Sequence, residues 1–510
     1  MNLGTLLPRQ ARFRSNHTAV VFQDSRLTYE ALNRSVNRLA HVFLSLGIRK
    51  GDKVATILPN CLELYETYWA VAAIGAVVVP LSPLLRGAGL TSLLNDSDTL
   101  LVITNKTFAN FLDPVREQLP VIKPDRYLLI DSNSTPGYQD YHDLKAQASE
   151  STPPPVEIND QDPYNIIYSS GTTGLPKGIV HTHYVRAMYC THFSSSFRIH
   201  PESVILHTGS IVFNGSFLTL MPAMYLGATY ILHPQFDAEA MIRTIQDEKV
   251  THVDMVPAQL IGLLNSPEFN LETCGSLECL LCLGAPLHKE YKEELQRRLP
   301  DRFYELYGLT EGFATILDKT DFPNKLSSVG CCPPFSEIMI MDDQRREVPV
   351  GQVGEIVGRG PILMPHYYKR PELTEQTIID GWLYTGDLGY LDEDGFLTLV
   401  DRKKDMIISG GINVYPKDIE EIIVQHPAVR EAAVFGIPHP KWGETPVAAI
   451  ILHQPGSIGE EEIRDWINQR VGAAYQRVHQ VIFKDDFPRS TAGKTLKRVM
   501  REELTGDGMI

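Results

Sequence analysis

Between residues 28 and 110 the chain alternates two textures. Segments with apolar residues every three or four positions, such as "LTYEALNRSVNRLAHVFLSLG" and "ELYETYWAVAAIG", are followed by short continuous apolar runs, "KVATILP" and "AVVVPL". The first spacing predicts amphipathic helices and the second buried strands. The rhythm returns at "THVDMVP", "LECLLCLGAP" and "DRFYELYG", each after a helix-like stretch. Such alternation predicts parallel sheets covered by helices, an α/β architecture. The Pro-rich "ESTPPPVEINDQDP" (150–163) reads as a surface connection. Beyond residue 330, "GEIVGRG", "DGFLTLVDR" and "MIISGG" are short strand-like runs between Gly and Asp turns, a smaller mixed β region. After about residue 401, "DRKKDMIISGGINVYPKDIEEIIVQHP" passes from clustered charge to strand, turn and helix, and we place a domain boundary there. The remainder alternates strand and helix, enough for a small α+β domain.

A length of 510 residues is too great for one core and agrees with two or more domains. Composition, 43% hydrophobic and 21% charged, is that of a globular enzyme. The formal charge of −15 argues against a nucleic-acid partner, because no basic excess exists to neutralise phosphates. The first residues, "MNLGTLLPRQARFRS", lack the apolar centre of a signal peptide. No apolar run reaches the about 20 residues of a membrane-spanning helix. A cytoplasmic enzyme is expected, with peripheral membrane contact left open. Seven cysteines fit a reducing compartment better than a disulfide framework. The neighbours Cys331 and Cys332 have no CxxC or Cys/His partner spacing, so they read as small core residues.

One stretch belongs to neither texture. "YSSGTTGLPKGIVHTH", Tyr168 to His183, would break a helix and give a strand little to pack. Its glycines let backbone N–H groups and hydroxyls converge on an anion, and Lys177 adds a mobile positive charge, so it could cradle phosphate. It does not fit the Walker A pattern or the dinucleotide fingerprint, and "AGKT" at 492–495 has Pro488 where a Walker A loop needs its first Gly. On composition alone, a flexible surface turn explains the stretch equally well.

The exact string carries more. "YSSGTTGLPKG" closely resembles the phosphate loop of the acyl-adenylate-forming superfamily: acyl- and aryl-CoA ligases, firefly luciferase, and the adenylation domains of peptide synthetases. The resemblance implies that Ser169, Ser170, Gly171, Thr172, Thr173, Gly174 and Lys177 grip the β- and γ-phosphates of ATP. It continues along most of the chain. "LGAP" is similar to the family's adenine-pocket segment, implying AMP contacts at Gly284, Ala285 and Pro286. "YGLTE" implies Tyr307 on adenine, Gly308 as a further AMP contact, Thr310 on the α-phosphate and Glu311 on magnesium. "YTGDLG" implies Asp387 on the ribose hydroxyls. "DRKKDMIISGGINVYP" implies Arg402 on the ribose and the hinge at Lys404, and Gly410 and Gly411 pass the pantetheine arm of CoA. "PRSTAGKTLKR" implies Lys494 as the adenylation lysine. Taken singly, Lys494 reads as a surface lysine, Asp387 as a turn former and Gly410–Gly411 as a hairpin turn. Their order and spacing together resemble the family.

The implied fold is α/β: a large N-terminal domain, 1–401, of two α/β sheet layers plus a distorted β-barrel; a hinge at 402–404; and a small mobile α+β lid, 405–510. The implied reaction joins a carboxylic acid to a thiol at the expense of ATP, with Mg2+ and CoA, through an acyl-AMP, and Lys494, Thr310 and Glu311 are the catalytic candidates. No carrier-protein module follows Lys494 in this sequence, so free CoA is the expected acceptor. The alternatives are a stand-alone enzyme loading a carrier protein and a nucleotide- or acyl-binding protein without turnover.

The chain departs from the family at three places. Many fatty-acyl and coumarate-type relatives have "P-x-x-H-x-x-G" after the phosphate loop; here "TGSIVFNGSF" puts Val212 or Phe213 where the histidine stands. Amino-acid-activating domains place an aspartate near this point; here Asn214 cannot pair with an ammonium as a carboxylate does. "AAYQRV" has Gln476 and Val478 where many relatives have Y-K-x-P. Candidate acyl-pocket residues are Tyr184, Phe213, Asn214, Leu283 and Phe313, mostly apolar or aromatic, which favours a lipophilic acid, aliphatic or aryl. His181, His183 and Cys190 receive no role.

Overall fold

The structure, a computed structural model, describes residues 1–131, 135–169, 177–285, 287–409, 412–489 and 495–506. The continuous apolar runs become buried parallel strands. Val77–Leu81 is buried at all five positions, as a strand covered on both faces must be. It belongs to a seven-stranded sheet in the order Gln139–Asp140, Tyr127–Leu129, Thr99–Thr104, Lys53–Ile57, Val77–Leu81, Pro163–Ser169, Lys177–Thr182. Only the last pair is antiparallel. An eight-stranded sheet runs Phe313–Leu317, Phe303–Leu309, Cys279–Leu283, His252–Met255, Val204–His207, Thr229–Leu232, Thr18–Phe22, Ser25–Thr28, antiparallel only at its two ends.

Helices fill the faces. Tyr29–Ser45 buries Tyr29, Leu32, Val36, Leu39, Ala40 and Phe43 on one stripe, and Thr28 caps it by accepting the Ala31 N–H. Leu62–Ile74 is buried nearly all round and stops at Gly75, which takes the left-handed conformation of a helix end (φ 69°). One core cluster joins these helices to both sheets, from Val54 and Val78 to Ile205, Leu281 and Tyr304.

By packing, the chain divides into two units, Met1–Glu337 with Gly358–Leu383, and Ile338–Val357 with Tyr384–Ile510. The first holds the two large sheets. The second holds most of a five-stranded sheet formed by the short runs after residue 330: Glu337–Met341, Gly354–Arg359, Trp382–Leu391 and Leu397–Arg402, with Ile378–Ile379. It also holds a second sheet in the order Ile412–Val414, Ile407–Ser409, Gly443–Leu452, Val429–His439, with Gln480–Phe483 parallel to Gly443–Leu452. Helices Pro416–Ile423 and Glu460–Asn468 bury Ile419, Ile423, Ile463 and Ile467 in its core. Among the described residues, no helix is long and apolar enough to cross a membrane.

Candidate functional site

The glycine-rich stretch opens as a hairpin rather than as a loop leading into a helix. Pro163–Ser169 and Lys177–Thr182 pair antiparallel with Ser169 opposite Lys177, so the ends of the loop are held together at its neck. Apolar Ile179 and Val180 are buried in the second strand, which is why "GIVHT" forms a strand before the helix His183–Ser196 begins. Ser170, Gly171, Thr172, Thr173 and Gly174 lie outside the described residues.

From the neck, Lys177 reaches the turn between Phe303–Leu309 and Phe313–Leu317, which consists of Thr310, Glu311 and Gly312. Its Nζ lies 2.9 Å from Glu311 Oε1. It also donates to the Tyr367 hydroxyl at 2.7 Å and sits 4.4 Å from the centre of the Tyr367 ring. Tyr367 in turn donates to Glu311 Oε1 at 2.7 Å. Glu311 and Tyr367 are both buried. Burial and the adjoining carboxylate push the Tyr367 phenol above its ordinary value. The turn is rigidly framed. The Glu311 carbonyl accepts the Met364 N–H at 2.7 Å. Gly312 has φ 102°, and a Cβ there would lie 1.8 Å from the Ile362 carbonyl oxygen, so only glycine fits. The Thr310 carbonyl is 2.8 Å from His181 Nε2.

Tyr307 precedes this turn in the same strand, with its ring 6.4 Å from that of Phe313 at 75°. Gly308 stands opposite Ala314. Phe313 is buried, its ring laid so closely over Gly358 that a Cβ there would meet it at 2.1 Å. Leu283 ends the neighbouring strand half-buried and touches the Cα side of Gly215, where a Cβ would be 2.8 Å away. The adjacent Asn214 donates from Nδ2 to the Tyr189 hydroxyl at 3.1 Å. Leu283 thus adjoins Gly215, the residue that follows Phe213 and Asn214. Tyr184 packs against the same core from the first turn of its helix, ahead of Tyr189. Gly284 and Ala285 follow Leu283 on the surface, with Gly284 at φ 91°; Pro286 lies outside the described residues.

The second unit carries the other candidates. Asp387 and Arg402 face each other across the pairing of Trp382–Leu391 with Leu397–Arg402, Arg402 Nε lying 3.5 Å from Asp387 Oδ1. The Asp387 N–H donates to Thr385 Oγ1 at 3.1 Å, and that hydroxyl donates to the Ile356 carbonyl at 2.7 Å. Lys403 pairs with Asp343 at 2.9 Å and Glu355 at 3.0 Å, whereas Lys404 is exposed and in no ion pair among the described residues. Just before it, Asp401 accepts the Arg402 N–H at 2.7 Å and the Lys417 N–H at 3.1 Å, joining the strand to the start of the helix Pro416–Ile423. Burial outweighs these bonds and the nearby Lys497 ammonium, holding the Asp401 carboxyl above its usual range. Gly410, Gly411 and Lys494 lie outside the described residues. Ser409 pairs with Ile412 on either side of the glycines, and Arg489 bridges Thr495 on either side of Lys494.

These arrangements have counterparts in known proteins. A family model for the AMP-binding enzyme matches residues 7–368, and one for the AMP-binding enzyme C-terminal domain matches 418–494. The chain belongs to the AMP-binding enzyme family. It is 34% identical to a long-chain-fatty-acid–CoA ligase, FadD13, of Mycobacterium tuberculosis over 512 residues, 99% of either chain. It is 32% identical to a feruloyl-CoA synthase of an Amycolatopsis species over 513 residues, covering 98% of this chain and 99% of the other. The crystal structure of ATP-bound MatB from Rhodopseudomonas palustris superposes with TM-score 0.90 at 28% identity, covering all of both chains. The α/β architecture expected by resemblance, a large N-terminal and a smaller C-terminal part, is therefore that of the family's solved structures.

Four residues around these have no signal in the sequence. Tyr367, which bridges Lys177 and Glu311, lies in "PHYYKRP" with no spacing that ties it to either. Asp401 is one charge among many in "DRKKD". His181, which reaches Thr310, and Arg186, which reaches His181, are brought together by the hairpin and the helix that follows it.

Proposed function

We propose that this chain, an AMP-forming acid–thiol ligase that uses ATP, Mg2+ and CoA, activates a lipophilic carboxylic acid, fatty or aryl, in the cytoplasm. The observation that carries the site assignment is the meeting of Lys177 with Glu311 and Tyr367 at the neck of the glycine-rich loop. In the first half-reaction, a carboxylate oxygen attacks the α-phosphorus of ATP, the bond to the β-phosphate bridge breaks, and pyrophosphate leaves. In the second, the CoA sulfur attacks the acyl carbonyl, AMP departs, and the thiol proton passes to solvent.

Each residue has a part that its chemistry suits. Lys177 exchanges Glu311 for the β- and γ-phosphates, a mobile ammonium being well matched to phosphate. Thr310 and the loop hydroxyls Ser169, Ser170, Thr172 and Thr173 donate to phosphate oxygens, while Gly171 and Gly174 let the backbone close on them. Tyr307, Gly308, Gly284, Ala285 and Pro286 hold adenine, and Asp387 with Arg402 holds the ribose. Glu311 fits Mg2+ because it offers carboxylate oxygen, the donor this cation prefers, fixed by a buried phenol. Bound there, Mg2+ would neutralise phosphate charge. Lys494 stabilises the charge developing at the α-phosphoryl group. Turning of 405–510 about Lys404 then withdraws Lys494 and presents Gly410 and Gly411 to the pantetheine arm.

Phe213, Leu283 and Phe313 give the acyl region its apolar character, and Asn214 with Tyr184 its few polar groups, which supports a lipophilic acid. The relatives are named as CoA ligases, which favours free CoA over a carrier protein. All seven cysteines are free, in keeping with a reducing compartment. Pyrophosphate release with ATP and Mg2+, across short to long aliphatic and aryl acids with and without CoA, tests the reading. Turnover with one lipophilic class, rising strongly on addition of CoA, is expected. Turnover confined to amino acids or very short hydrophilic acids would overturn the substrate class.

A further inference from the structure

Arg186, in the helix His183–Ser196, has no exposed surface at all. Its Nε donates to Asn165 Oδ1 at 3.0 Å, and its Nη2 lies 3.2 Å from His181 Nδ1. The guanidinium lies 4.0 Å from the centre of the Phe217 ring and 4.6 Å from that of Tyr189. Among the described residues no carboxylate pairs with it, and Nη1 has no hydrogen-bond partner. Taking a guanidinium out of water without a counter-ion is costly, and two aromatic faces offset only part of that. A charge kept so expensively calls for a use.

The use follows from what it touches. A guanidinium donates and never accepts, so His181 Nδ1 is an acceptor here. The opposite nitrogen, Nε2, is 2.8 Å from the Thr310 carbonyl oxygen, which can only accept, so Nε2 carries the proton. Arg186 and Thr310 together thus select one neutral tautomer of an imidazole that is itself fully buried. Burial, and then the Arg186 charge, hold His181 well below its ordinary pKa, in agreement. The path runs Asn165, Arg186, His181, Thr310: from the first strand of the loop hairpin, through the helix and the second strand, to the turn bearing Thr310 and Glu311.

We propose that Arg186 is a positioning residue, which through His181 fixes the Thr310 main chain, and with it the turn that presents Thr310 and Glu311 to ATP. The proposal rests on the reading of Thr310 as an ATP contact. It accounts for an arginine where an apolar side chain would pack at less cost. It also gives the chain a second hold on the turn, independent of the Lys177–Glu311–Tyr367 contacts.

The test compares full-length wild type with R186M, H181L, H181Q, R186M/H181L and T310A, reading kcat and KM for pyrophosphate release with the best acid, and Tm. Losing an outer support of this kind typically costs about 10–100-fold. R186M and H181L are expected to lose kcat in that range, with KM for the acid held within about threefold and the double variant no worse than either single one. H181Q, whose amide carries an acceptor beside a donor, is expected to recover kcat to within about threefold of wild type. Tm of R186M is expected to fall by no more than a few degrees, because removing a buried charge that has no counter-ion offsets the two acceptors left at Asn165 Oδ1 and His181 Nδ1. Unchanged kcat in R186M and H181L overturns the proposal, as does a kcat loss that tracks a falling Tm, or an H181Q no better than H181L. T310A separates the two failures: if it too keeps full kcat, the reading of Thr310 is wrong, and if it alone is impaired, only the relay is wrong.

Discussion

Replacing Tyr367 with Phe removes one oxygen and leaves the ring that packs at the site. The lost hydroxyl donates to Glu311 Oε1 at 2.7 Å and accepts from Lys177 at 2.7 Å. Hydrogen bonds to charged groups contribute about 1.5–3 kcal/mol. Glu311 keeps Lys177 at 2.9 Å in the folded protein, so the lower end applies there. If Lys177 turns to phosphate as proposed, Tyr367 is, among the described residues, the side chain left holding that carboxylate oxygen. A loss of about 1.5 kcal/mol in its orientation, the low end of that range, is about tenfold in affinity for the cation it would hold. Y367F is therefore expected to raise the Mg2+ concentration for half-maximal pyrophosphate release about tenfold. KM for the acid should stay within about twofold, because the hydroxyl touches none of the acyl-region residues. Titrating Mg2+ at fixed saturating ATP, for both proteins, checks this. A Y367F midpoint within about twofold of wild type would refute both the cation role of Glu311 and the tethering role of Tyr367.

Two further outcomes are expected. Lys494→Ala should lose about 10²–10³ in the adenylation half-reaction yet still make thioester from supplied acyl-AMP and CoA; equal loss in both half-reactions would exclude a rotating lid. Burial pushes His183 and His252 down to about 4, so both are neutral in the folded chain. The unfolded chain binds those protons nearer 6.5, so stability is complete above that pH and is lost as pH falls from about 6.5 toward 4. Thermal melts across this window should fall with acidification, and H252Q should flatten the slope; a Tm constant from pH 7 to 4.5 would show that neither histidine is linked to folding.

The sheets were legible because their cause is local. Runs such as "AVVVPL" are buried on both faces, and their apolar continuity says so directly. The stripe of Tyr29–Ser45 is equally plain in its spacing. The strand "KGIVHT" is hidden in a stretch whose glycines and hydroxyls read as loop, because its pairing with Pro163–Ser169 is settled across the turn and not by its own short apolar run. Candidate site residues are readable where a motif keeps them adjacent, as in "YGLTE". They were invisible where chemistry is assembled across the fold: Tyr367 meets Glu311 from 56 positions away, and Arg186 reaches Thr310 only through His181. A buried charge has no compositional signature, since Arg186 reads on its helix like any solvated arginine.

Asp401 has a consequence for the timing of turnover. It stands immediately before the proposed pivot and accepts one N–H on each side of it, from Arg402 and from Lys417. Lys417 also donates its ammonium to the Leu399 carbonyl at 2.9 Å, so strand and helix are tied twice. A swing about Lys404 cannot be the drift of a slack tether. It must first release the Lys417 contacts, each involving a charged group and worth about 1.5–3 kcal/mol, and every partner it frees must find water or a new neighbour. If the lid turns about Lys404 as proposed, these contacts would act as a catch, and the catch, more than the thiol chemistry, would set how long a finished acyl-AMP waits for CoA.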